Sequence, residues 1–282
     1  MMLSPYTRRK FTDVVVRSAC VLAAVIALIP LISVLYYVTL RGIGGINIAF
    51  FTELPKPVGE SGGGMANALV GTLKLVFLAC AFGIPPGVLA GVYLAEFGHS
   101  RFGKSVRFSA DVMSGVPSIT VGIFVYSLVV LQTKHFSALA GGIALAVLML
   151  PTVTRTTEEL LRLIPESLRE AALGLGLPQW RVTLRVMLRT AAPGIATGVM
   201  LAVARVAGET APLLFTAFSN PFWSSGLNEP TASLPVSIYN YAVSPYEEWH
   251  RQAWAAALLL LLLVLLLNVT ARLLVRSRVG AP

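Results

Sequence analysis

Five stretches of this chain run 19 to 23 residues without a charged side chain: Ser18–Leu40, Leu75–Ala95, Val112–Thr133, Phe136–Thr154 and Gln252–Ala271. Nothing else in the sequence constrains folding as strongly. A helix crossing the ~30 Å hydrocarbon core needs about 20 mostly apolar residues, and only internal hydrogen bonding satisfies its backbone there. A sixth apolar stretch, Ala191–Phe218, is long enough but is interrupted by Arg205 and Glu209. Composition agrees: 56% of residues are hydrophobic and 12% charged, where a soluble domain carries about 25% charged. The sequence therefore excludes a soluble enzyme and predicts an all-α membrane protein with six transmembrane helices.

The formal charge of +9 raises the question of a nucleic-acid partner, which the positions of the cations answer. With the N-terminus in the cytoplasm, 16 of the 22 Lys and Arg residues fall on the inner side. They lie before span one (Arg8, Arg9, Lys10, Arg17), after span two (Arg101, Lys104, Arg107), in the long fourth loop and in the tail (Arg272, Arg276, Arg278). Arg41, Lys56, Lys134 and Arg251 fall outside, and Lys74 and Arg205 lie in spans. The charge reports topology, with both termini cytoplasmic and no nucleic acid. The apolar run after Arg8-Arg9-Lys10 is too long for a signal-peptide core, so the first span is read as uncleaved. Cys20 and Cys80 sit inside spans, which leaves neither a disulfide framework nor a zinc site in prospect. The Gly- and Pro-rich outward segment Gly42–Gly64 separates an accessory first span (1–64) from a core (65–276), followed by a cytoplasmic tail (277–282).

Gly98-His-Ser-Arg-Phe-Gly103-Lys104-Ser105 fits the P-loop pattern G-x-x-x-x-G-K-[ST]. That chemistry needs a strand before the glycines and a helix after them in an α/β domain, and a short loop between membrane helices has no room for one. The fourth loop, Arg155–Thr190, has its own architecture. Pro165 suits the first position of a helix over Glu166–Ala172 that stops near Gly174 and Gly176, and Pro178 starts a second. In the second, Arg181, Arg185 and Arg189 recur every four residues among Val182, Leu184, Val186 and Leu188, which makes it amphipathic and basic. From periodicity alone, an interfacial helix with arginines reaching anionic lipid accounts for it.

The residues add a second reading. Glu170-Ala171-Ala172, three residues, Gly176, nine residues, Val186-x-Leu188 resembles the EAA loop of ABC importer permeases, E-A-A-x3-G-x9-I-x-L-P. Val186 replaces the Ile, and Arg189 stands where many members have Pro. The resemblance implies coupling helices that dock on a separate ATPase subunit, with Glu170, Ala171, Ala172 and Gly176 as docking residues. It also implies a type I (MetI-like) permease core formed by spans two to six.

On a helix at about 100° per residue, Gly194, Gly198, Ala202, Arg205 and Glu209 share one stripe. Small residues allow close helix approach, and a charge at the helix centre costs roughly 2.5–3.5 kcal/mol on insertion scales, so the stripe faces protein or a cavity. Arg205 and Glu209 then form either a structural ion pair or an anion site, because a guanidinium fork matches phosphate or carboxylate oxygens. In the second case Glu209 orients Arg205 or accepts a hydrogen bond from hydrogen phosphate, which fully ionised sulfate does not offer. The segment Ala204-Arg-Val-Ala-Gly-Glu-Thr-Ala-Pro-Leu-Leu-Phe-Thr-Ala217 is similar to the signature of the PstA family, a membrane subunit of bacterial phosphate ABC importers. Ser114-Gly-Val-Pro-Ser118, Asn228-Glu-Pro230 and Leu234-Pro-Val236 extend the resemblance.

That resemblance implies a pore half in the bacterial inner membrane that imports inorganic phosphate and itself hydrolyses nothing. Its partners would be a second homologous permease, an ATPase dimer that binds ATP and Mg, and an extracytoplasmic phosphate-binding protein. No cofactor or metal is expected in this chain. The outer segment Ser219–Arg251 carries Trp223, Tyr239, Tyr241, Tyr246 and Trp249, which read as an interfacial aromatic belt or a docking surface. Lys74 reads as a snorkelling anchor or an anion guide, and Pro85-Pro86-Gly87 as a kink in span two. A permease for sulfate or molybdate is the alternative within the class. A proton-coupled carrier would leave the Glu170–Leu188 pattern unexplained and shows no internal repeat. A membrane enzyme lacks its residues, since His99, His135 and His250 lie in separate loops.

Overall fold

A computed structural model describes residues 5–60 and 62–279. Residues 1–4, Ser61, and residues 280–282 of the expected tail lie outside the described residues, as do the side chains of Arg8, Arg272, Arg276 and Arg278. Every regular element among the described residues is a helix. In chain order these are α1 (Pro5–Ile43), α2 (Ile48–Thr52), α3 (Ala66–Phe97), α4 (Arg101–Gly115) and α5 (Ser118–Thr133). They are followed by α6 (Ala138–Arg162), α7 (Glu166–Gly174), α8 (Gln179–Ala207), α9 (Ala211–Thr216), α10 (Leu234–Ala242) and α11 (Glu247–Val279). Five described helices are long and apolar enough to cross a membrane, and α4 with α5 makes a sixth crossing if the bent pair counts as one.

Within the expected span Val112–Thr133 the helix is broken. The chain turns through 109° between α4 and α5. Pro117 disfavours helical backbone at the residue before it, and Val116 is extended, with ψ of 130°. The hydropathy is continuous while the helix is not. By contrast, Pro85 and Pro86 lie inside α3, which continues as one helix from Ala66 to Phe97.

The core is built on small residues. Gly83, Gly87 and Gly91 of α3 lie against Ala146, Val153 and Thr157 of α6, so close that a methyl at Gly87 would sit 2.9 Å from the Val153 side chain. Gly141 and Gly142 of α6 receive Leu75 and Leu78 in return. Lipid tails are as apolar as leucine, so this tight contact, rather than hydrophobic exclusion, drives helix association. Gly194 and Gly198 of α8 seat Leu160 and Thr156 of α6 in the same way, which places α6 between α3 and α8. The main apolar core spans these three helices with parts of α5 and α9. A smaller one near α2, α10 and the start of α11 contains Phe50, Met65, Leu234, Tyr241 and Ala255. Helix α1 leans on α11, where Gly42 and Gly45 meet Leu258 and Ala255. Its apolar window is otherwise wholly uncovered in this chain.

Candidate permeation and coupling sites

The charged pair of span five sits where a helix ends. Helix α8 carries Gly194, Gly198 and Ala202 against the protein as the stripe predicts, but it stops at Ala207. Gly208 N–H and Glu209 N–H donate to Arg205 and Val206 carbonyls at 3.2 Å each, closing the last turn before α9 opens with Ala211-Pro212. Glu209 is therefore not on the helical stripe assigned to it. Its side chain still reaches back: Arg205 Nε and Glu209 Oε1 are 3.9 Å apart. This is beyond hydrogen-bonding distance, so the pairing is loose. The Arg205 side chain is 57% exposed and that of Glu209 18%, leaving the guanidinium fork open. Nearby, Gly122 of α5 packs on Pro212 of α9, where a methyl would come within 2.6 Å of Pro212 Cα. The broken third and fifth spans thus meet each other.

At the opposite end of α8, Arg155–Thr190 is much less of a loop than its charge suggests. Helix α6 runs through Arg162, and Gln179–Thr190 is continuous with α8 rather than a separate helix. Between them lies α7, capped by Pro165 just before the helix rather than in it. Gly176 follows with φ of +80°, a conformation glycine adopts without steric cost. Glu170, Ala171 and Gly176 are exposed, whereas Ala172 turns inward and joins the main core. Leu168, Leu173, Leu175 and Trp180 are exposed around them.

The sequence reading passed over what holds α7 in place. Arg169 makes a bidentate pair with Glu96 at the end of α3, at 2.6 and 2.8 Å. Those bonds keep the Arg169 guanidinium more firmly protonated than usual, against a smaller opposing effect of burial. A second cluster surrounds Glu158 of α6, whose side chain is 1% exposed. Its Oε1 accepts from Arg107 Nε at 3.0 Å and Nη2 at 2.5 Å, and Arg162 Nη2 lies 3.1 Å away. Its Oε2 accepts from Arg155 at 2.9 Å, and Asp111 also pairs with Arg155 at 3.1 Å. Arg107 and Arg162 reach further, to the carbonyls of Gly98 and Leu94 at the end of α3. The P-loop-like segment shows no strand. Ser100 Oγ accepts from Gly103 N–H at 3.0 Å and caps α4.

At the other end, the segment between α9 and α10 closes over α3 and α6. Lys74 donates to the Ser224 and Gly226 carbonyls at 2.7 and 3.2 Å, which makes it a staple of this segment. Asn67 Nδ2 donates to the Asn220 carbonyl at 2.7 Å. The carbonyls of Glu229 and Leu227 accept from Ala138 and Leu139 N–H at 3.0 Å each, satisfying the free donors at the start of α6. Tyr241 and Trp249 stack with ring centroids 4.4 Å apart, so part of the expected aromatic belt is internal packing. Trp223, Tyr239 and Tyr246 remain exposed. A cavity of about 440 Å³ opens here, bounded by Lys56, Asn67, Phe222, Tyr241 and Trp249 among others.

Comparison with known proteins places this architecture. Residues 87–279 match the family described as binding-protein-dependent transport system inner membrane component. The chain is 49% identical over 245 residues to the phosphate transport system permease protein PstA of Yersinia pestis, covering 86% of this chain and 83% of that one. It is 46% identical to PstA of Haemophilus influenzae over 91% of both chains. Among solved structures, a chain of a bacterial alginate ABC transporter superposes with a TM-score of 0.69 at 15% identity, covering 97% of this chain and 98% of that one. An inward-facing MetNI methionine ABC transporter gives 0.58 at 20% identity, over 75% and 92%. These two likenesses carry the fold, that of a type I importer permease. With its apolar helices, its broken spans and relatives matched along most of their length, the chain belongs to the PstA family of multi-pass inner-membrane permeases.

Proposed function

We propose that this chain is one half of the membrane pore of an ATP-driven importer, passing inorganic phosphate from an extracytoplasmic binding protein to the cytoplasm. The observation that carries the reading is the 49% identity with a phosphate transport permease along most of both chains. The geometry at Arg205 supports it. An open guanidinium fork, held loosely by Glu209 where a helix ends, offers bidentate hydrogen bonds to phosphate oxygens, and partial exclusion of water strengthens them. A second homologous permease would complete the pore, since Arg205 is more than half uncovered in this chain. In this reading the accessory first span (1–64) stands beside a permease core (65–276).

ATP and Mg would be bound by a separate ATPase dimer that contacts α7. Glu170, Ala171 and Gly176 are the docking residues, flanked by exposed Leu168, Leu173 and Leu175. Ala172 supports the helix from beneath, because it is buried in the core of its own chain.

The test is radiolabelled phosphate uptake in phosphate-starved cells lacking this gene, complemented with wild type or Arg205→Gln and challenged with excess sulfate. Wild type should restore uptake insensitive to sulfate, and Arg205→Gln should lower it at least tenfold at equal membrane abundance. Uptake unaffected by the deletion, in cells without another phosphate importer, would remove phosphate as the substrate.

A further inference from the structure

Four arginines at the α7 end of the core are engaged by internal carboxylates: Arg107, Arg155 and Arg162 by Glu158, and Arg169 by Glu96. Arg185 and Arg189 differ. Both are exposed, and neither has a hydrogen bond or ion pair with any described residue. Together with Leu184, Leu188 and Ala192 they wall a shallow concavity of about 490 Å³ on α8.

The position of this concavity indicates its ligand. Helix α8 has 29 residues, about 44 Å at 1.5 Å per residue, whereas the hydrocarbon core is ~30 Å thick. The excess at the α7 end places Arg185 and Arg189 at headgroup depth, with Ala192 deeper. Their face is also turned from the permeation stripe. In the regular part of α8, Arg189 lies about 160° from Arg205 and about 140° from Gly194, at roughly 100° per residue. Gly194 packs on α6, so Arg189 looks away from the protein. At the start of α8, on the side of Tyr93 and Phe97 of α3, exposed Trp180 lies under the Arg181 guanidinium, 5.1 Å from ring centroid to cation, a residue type enriched at the membrane interface.

We propose that Arg185 and Arg189 form a binding site for the phosphodiester of one anionic phospholipid, whose acyl chain lies along Leu188 and Ala192. Two guanidinium groups one turn apart supply charge-assisted donors to the phosphate oxygens. The apolar wall below them accepts the chain, which a free anion lacks. The site does not depend on what the permease transports.

Native mass spectrometry of the importer, purified with its partner subunits and delipidated, tests this by titration with phosphatidylglycerol or phosphatidylcholine. With about 1 kcal/mol per cationic residue near an anionic lipid, wild type should prefer phosphatidylglycerol by about thirtyfold. Arg185→Gln with Arg189→Gln should bring the preference to within about threefold of unity, whereas the paired lysine variants retain most of it. Arg101→Gln with Lys104→Gln removes the same charge from another exposed basic segment and should leave the preference intact. Equal loss in that control would reduce the effect to general surface charge and overturn the site. So would displacement of phosphatidylglycerol by millimolar orthophosphate, which would make it a free-anion site. Retention by the isolated chain but not by the assembled importer would assign this face to a protein partner instead. A glutamine variant that loses its preference but melts at the wild-type temperature in detergent excludes misfolding as the cause.

Discussion

Glu158 is one carboxylate serving three guanidinium groups, and its burial sets the consequence of losing it. Arg107, Arg155 and Arg162 side chains are 25%, 32% and 43% exposed, against 1% for Glu158. Breaking a fully buried pair costs about 3–5 kcal/mol, because the remaining charge is left unpaired. Water reaches these arginines, so Glu158→Gln should cost less, about 2–3 kcal/mol, read as a lower melting temperature of the detergent-purified chain. Glu158→Asp, which keeps the charge, should recover part of it. At the proposed permeation site, Glu209→Gln tests whether the acid selects for a protonated anion. Sulfate at tenfold excess should compete with phosphate in the variant but not in wild type, and unchanged selectivity would leave Glu209 only the task of orienting Arg205. Arg205 and Glu209 were legible as charges inside an apolar run. Glu158 and Glu96 were not, because counting cations along the loops passes over the acids that neutralise them, and the partners that tie them to other helices, Arg107 and Arg169, lie 51 and 73 residues away.

The six apolar stretches follow from hydropathy alone, but hydropathy carries no direction, so it could not show that the third turns through 109°. The sign was local: Val116-Pro117 within Ser114–Ser118. The same limit applies to Glu209, where helical periodicity was extended through Gly208, a residue that ends α8. The small residues were partly legible. Spacing of four picked out Gly194 and Gly198, and the structure gives them Leu160 and Thr156 as neighbours. The equivalent spacing of Gly83, Gly87 and Gly91 was overshadowed by the two prolines beside it. Glycine content therefore separates into contact and non-contact positions, with different expected costs. Gly198→Leu drives a side chain into Thr156 of α6 and should abolish recovery of folded protein from membranes. Gly115, with nothing within 4 Å of an added Cβ, should accept alanine with a melting temperature within about two degrees of wild type, since a helical Gly→Ala change is favourable by up to ~1 kcal/mol. Comparable yields of both variants would contradict the assigned α6–α8 packing.

At the scale of the molecule, the two sites lie at opposite ends of helices that share one core. Helix α7 has a single residue, Ala172, in that core, so packing alone attaches it weakly. The Arg169–Glu96 fork, with side chains 19% and 6% exposed, ties it to α3. Glu96 in turn sits in the last turn of α3, between the Leu94 and Gly98 carbonyls that Arg162 and Arg107 reach. A displacement of α7 by a docked ATPase would thus be transmitted to α3 as a pull on Glu96, and through the glycine face of α3 to α6. If α7 moves independently when the fork is cut, hydrolysis should continue while transport stops. Reconstituted importer carrying Glu96→Gln should keep at least half its ATPase rate and lose at least tenfold of phosphate uptake. The double exchange Glu96→Arg with Arg169→Glu restores opposite charges across the same gap, so uptake should recover several-fold over either single exchange. Recovery shows that the two side chains act as a pair, because two destabilising changes at independent positions would add, and the retained ATPase rate separates a lost linkage from a folding defect. Should the double exchange transport no better than the worse single one, the link between α7 and the membrane helices must run through Ala172 and the backbone instead.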